Sequence, residues 1–111
     1  MATVRVKAEI AKSVNVTFPL YLAFSSCEDD EEIVFGEDYM EFWKIESKSK
    51  ITIIREDSLS MAVITYRDEE EDAFYEHVTD AMLKEQDGWN IVKEKVYDEA
   101  FNRLIDRVTN A

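Results

Sequence analysis

The sequence predicts an α+β domain, with an antiparallel β-sheet of roughly four to six strands in the N-terminal two-thirds, covered on one face by two C-terminal α-helices. Two observations carry this. Apolar residues alternate with period two in short runs up to about residue 66, and beyond residue 68 they recur at helical spacing. The composition sets the scale: 111 residues, 46% hydrophobic, with two Gly and one Pro, read as a single domain spanning 1–111 with one continuous core.

The elements follow in order. At residues 3–10, Val4, Val6, Ala8 and Ile10 point one way and Arg5, Lys7 and Glu9 the other, a strand with one wet face. Val14, Val16 and Phe18 alternate again after a short turn, so the two runs form an antiparallel hairpin. Pro19 cannot donate a ladder hydrogen bond and marks an edge, a bulge or a strand end. Residues 20–24 form a further apolar piece. Five successive carboxylates at 28–32 repel one another and belong at a solvated loop. Ile33, Val34 and Phe35 form a short strand or anchor that loop. Residues 39–46 form a strand with Tyr39, Glu41, Trp43 and Ile45 on one face and Met40, Phe42, Lys44 and Glu46 on the other. Both faces carry aromatics, so at least one meets more than solvent. Residues 47–50 turn, 51–55 are a β-branched internal strand, and 61–66 are another.

A first helix is expected from Asp68 as N-cap, with Glu71 three residues on, through Phe74, Val78, Ala81 and Met82 to the Asp87-Gly88 stop. A second carries the stripe Val96, Tyr97, Ala100, Phe101, Leu104, Ile105 and Val108 and is expected to contribute most to stability. Trp89 and Ile91, just before it, are expected to cover the end of the core.

Charge narrows the function. The formal charge is −12, from 25 acids and 13 bases. Residues 28–46 hold nine acids and one lysine, net −8; residues 68–87 repeat those counts; the remainder is +4. Such a field repels nucleic-acid phosphates and anionic membranes and attracts a basic protein surface. No apolar run approaches the roughly 18 residues of a membrane span. The N-terminal alternation is unlike a signal peptide. A single cysteine fits a reducing, cytoplasmic setting.

No motif for a cofactor, a phosphate loop or a metalloprotease appears, and no cofactor is expected. Cys27 and His77 are the single cysteine and histidine; the acids beside Cys27 disfavour a thiolate, and nothing in the sequence brings the two together. Zinc would need more ligands than one Cys and one His; Glu76, His77 and Asp80 have ordinary surface spacing. The acid run lacks the alternate ligand spacing of a calcium loop. Glu41 is the strongest carboxylate candidate, because it alternates onto an aromatic face.

The expected function is therefore a small acidic, non-enzymatic binding or regulatory protein that engages a basic protein partner, with no direct nucleic-acid or membrane contact. Glu28, Asp29, Asp30, Glu31, Glu32, Glu69, Glu70, Glu71 and Asp72 would supply the field. Tyr39, Phe42 and Trp43 would anchor the partner. Two alternatives stand beside it. One is a ligand-binding domain or enzyme with a pocket between sheet and helices that contains Glu41 or His77. The other is a structural or oligomerisation module whose acidity serves only solubility.

Overall fold

The computed structural model of the chain describes residues 2–7, 12–25, 39–57, 60–70 and 73–109. The element order is β1 (Ala2–Val6), β2 (Lys12–Val16), β3 (Leu20–Ser25), β4 (Met40–Ser47), β5 (Lys50–Glu56), β6 (Met61–Arg67), α1 (Ala73–His77), α2 (Asp80–Leu83), β7 (Trp89–Ile91) and α3 (Glu94–Thr109). Strands β6-β5-β4-β3-β7 form a five-stranded antiparallel sheet. The β1–β2 hairpin forms separately, with Val4 opposite Val14. The α+β class therefore holds.

The alternation of β3, β4 and β5 makes the sheet apolar on both sides. One face presents Leu22, Trp43, Ile45, Ile51 and Ile53. It is covered by Val4, Val6 and Val16 of the hairpin and by Ala73, Phe74, Val78 and Met82 of the α1–α2 segment. The other presents Tyr21, Ala23, Phe42 and Ile54 and is covered by Tyr97 and Ala100 of α3. The helices thus lie on opposite faces of the sheet rather than together on one. The cause is the doubly apolar centre: each face needs a cover, and burying one large apolar side chain stabilises by roughly 1.5–3 kcal/mol.

The single helix expected after residue 68 is broken. Asp68 does not cap it; its carboxylate accepts from the Glu70 N–H (2.8 Å) in the turn after β6. Val78 still donates to the Phe74 carbonyl (2.9 Å), but Thr79 is extended and bridges to Lys7 at the end of β1. Thr79 then caps α2 by accepting from Met82 N–H (3.4 Å). The break is a tertiary effect, since the hairpin edge competes for the backbone.

Trp89 and Ile91 lie in a strand, β7, paired with β3. In α3, Tyr97 and Ala100 are buried, whereas Phe101, Ile105 and Val108 are exposed. That helix packs on β3 and β4; beyond Ala100 its stripe is less covered, with Leu104 half-buried and Arg103 bonded to Glu56 at the end of β5. The larger cluster of buried residues lies on the opposite face, which argues against α3 contributing most to stability. Residues 8–10, Cys27 and the expected strand at 33–35 lie outside the described residues.

Candidate functional site

Cross-strand register places Phe24, Glu41 and Arg55 in one row on the hairpin-covered face, with Trp89 of β7 beside Phe24. Trp43 lies one alternation along β4. The rings form a connected cluster: Phe24–Trp89 at 5.0 Å between centroids, Trp43–Trp89 at 5.4 Å and Phe24–Tyr39 at 6.3 Å. Gly88 (φ +91) permits the close approach of the preceding turn. A Cβ there would stand 2.7 Å from the Ser25 carbonyl oxygen, and the Gly88 carbonyl accepts from the Ser25 N–H (3.1 Å).

Glu41 occupies this cluster with its side chain 14% exposed. Its Oε1 accepts from Trp43 Nε1 (2.8 Å) and its Oε2 from the Tyr39 hydroxyl. Arg55 Nε lies 3.6 Å from Oε2, an ion pair too long for a hydrogen bond; that nitrogen is occluded and has no hydrogen bond among the described residues, while the side chain as a whole reaches solvent. The carboxylate is thus held by two neutral donors and balanced by one nearby cation, an arrangement that orients rings and ties residue 39 to β4.

Burial and the hydrogen bond to Glu41 push the Tyr39 hydroxyl up to about 12 from 10.0. Tyr21, buried and donating to Glu94 (3.0 Å), is also pushed up to about 12, mainly by burial. Burial raises Tyr97 as well. In each case folding favours the protonated phenol. The stability from Tyr21 and Tyr39 is fully present below pH 10 and is lost as pH rises from 10 through about 12. The urea midpoint should therefore decline across that interval, and Tyr21→Phe and Tyr39→Phe should each flatten the decline. Parallel curves for wild type and both variants would contradict the assignment.

The residues expected to bind a partner are distributed unevenly. Phe42 is 3% exposed and sits on the opposite face, under Arg103, whose guanidinium lies 5.4 Å from the ring centre. Trp43 is 7% exposed. Neither ring is available as an anchor, because each belongs to a core that covers a sheet face. Tyr39 is half-buried and held by Glu41. Glu69 and Glu70 are exposed. Glu28, Asp29, Asp30, Glu31, Glu32, Glu71 and Asp72 lie outside the described residues.

The two acid runs attach at opposite ends of the sheet. In sequence the run at 28–32 falls between Ser25 and Met40, which are paired neighbours at one end of the sheet. Glu69 and Glu70 follow β6 at the other, where Asp68 N–H donates to the Ser49 carbonyl (2.8 Å). The length of β4 puts about 20–25 Å between those ends.

His77 is stacked on Tyr66 with centroids 3.9 Å apart. An open groove of about 450 Å³ lies beside Thr3, Arg5, Lys48, Glu70 and Tyr75 and contains neither Glu41 nor His77. Among the described residues no group of three or more His, Cys, Asp or Glu side chains is placed to hold a metal ion, and no helix is long and apolar enough to cross a membrane. Sequence reasoning missed Arg55 and Phe24 as partners of Glu41, because cross-strand register is not written in either strand alone. No family model, curated protein or solved structure matches the chain.

Proposed function

We propose that this chain is a small acidic, non-enzymatic binding protein that engages a basic protein partner through its two carboxylate runs. The observation that carries the reading is the partition of charge: two segments of net −8 each in a chain whose remainder is +4. A solubilising charge needs no such segregation, whereas electrostatic recruitment gains from it. Exposure of Glu69 and Glu70 supports the same reading. The described carboxylates of the first segment, Glu41 and Glu46, are engaged within the chain, Glu46 by Lys50 at 3.0 Å.

With Phe42 and Trp43 in the core, the carboxylates both steer and hold the partner. Net charge disfavours direct contact with nucleic acid or an anionic membrane, and the single cysteine suits a cytoplasmic setting.

The test is capture from an extract of the native host on the immobilised chain at low salt, with mass spectrometry of what is retained. A Lys/Arg-rich protein should be recovered, released by salt, and lost from a variant with residues 28–32 changed to Gln and Asn. Retention that is indifferent to those carboxylates would sink the proposal.

A further inference from the structure

We propose that β6 is a self-association edge, along which a second copy of this chain pairs antiparallel to continue the sheet. The two sheet edges differ. At β7, Val92 N–H donates to Tyr21 and Ser25 N–H to Gly88, so even-numbered residues face β3 and Ile91 N–H points outward; Glu85 Oε1 caps it at 3.0 Å. That edge is three residues long and blocked.

At β6 the bonds from Asp68 N–H to Ser49 and from Asp57 N–H to the Ser60 carbonyl put the even-numbered residues against β5. Met61, Val63, Thr65 and Arg67 therefore carry outward N–H and C=O groups, and none of the described residues bonds to them. The strand is seven residues long, without proline or bulge, and Arg67 is its one charge. Long, regular edges with so little charge are templates for strand pairing.

A second copy fits this edge by its own chemistry. A two-fold axis at Ile64 sets Met61 opposite Arg67 and Val63 opposite Thr65, which pairs every outward backbone group. On the other face it sets Ile64 against Ile64 and the small Ala62 against the Tyr66 ring. No like charges face each other. Arg67 of one copy lands beside Met61 of the other, next to Glu56 and Asp57. The edge, at +1, is also where a chain of −12 repels its copy least.

The same operation keeps the α3 face of both copies on one side. That side holds the unfilled apolar surface. Val63 continues the row Ala23–Phe42–Ile54 yet is 43% exposed, and Phe101, Ile105 and Val108 are exposed on α3.

Sedimentation of the full chain at high salt, where self-repulsion is screened, should read a dimer as concentration rises. Val63→Pro removes an outward N–H that the monomer does not use, and Thr65→Lys places a charge at the seam; both should sediment as monomers with unchanged circular dichroism. If Val63→Pro does not fold, Thr65→Lys decides. A wild-type chain that stays monomeric at millimolar concentration overturns the proposal, including one that takes up an unrelated extended peptide along β6. Folded variants that dimerise like wild type overturn it too.

Discussion

Replacing Phe74 by Ala is expected to cost about 3–5 kcal/mol, a large share of the roughly 5–15 kcal/mol that holds a domain together. Phe74 is 1% exposed and stands where α1, the hairpin and the sheet meet. Its ring meets Phe18 edge-on at 6.0 Å between centroids, and its N–H donates to the Lys48 carbonyl (2.9 Å). Truncation leaves a cavity walled by three elements, none of which can collapse without moving the others. Phe101→Ala should cost less, about 1 kcal/mol, since that residue is 42% exposed. Denaturant midpoints of the two variants check the contrast. Equal losses would mean that α3 carries more of the core than its burial indicates.

Glu41→Leu is expected to cost about 2–3 kcal/mol although it adds an apolar side chain to an aromatic cluster. The reason is donor satisfaction. Trp43 Nε1, on a buried ring, is left without an acceptor, and the Tyr39 hydroxyl loses the carboxylate that it bonds. Glu41→Gln keeps one amide oxygen for one of the two donors and should cost about 1 kcal/mol. Denaturation followed by tryptophan fluorescence reads both the stability and the environment of Trp43. A Glu41→Leu protein as stable as wild type would show that the two hydrogen bonds contribute nothing net.

Much of this arrangement is legible in the sequence where one physical rule acts alone. Period-two alternation marks β1 and β2, compact β-branched runs mark β5 and β6, and in β4 alternation assigns Tyr39, Glu41 and Trp43 to one face and Phe42 to the other. What it cannot supply is register. Phe24 and Arg55 reach Glu41 because β3, β4 and β5 align in one particular way. The aromatics on both faces of β4 signal a sheet covered twice, yet strands followed by helices suggest a single cover. β7 is three residues long, below any periodic signal. The helix broken at Thr79 reads as continuous in sequence, because its interruption depends on Lys7, more than 70 residues away. The α3 stripe shows which way a helix can bury, and the sheet beneath decides how much of it does. The acid runs are plain in the sequence; that Ser25 and Met40 pair at one end of the sheet and Glu69 and Glu70 follow β6 at the other is a property of topology.

The most direct measurement is the association rate of the captured basic partner with the chain as ionic strength is raised, for wild type and for variants with residues 28–32 or residues 69–72 neutralised. Electrostatic recruitment predicts an association rate that falls steeply with salt, a lower and flatter rate for each variant at low salt, and faster dissociation from each variant, since the same carboxylates hold the complex. A wild-type rate indifferent to salt and equal to that of both variants would contradict the account.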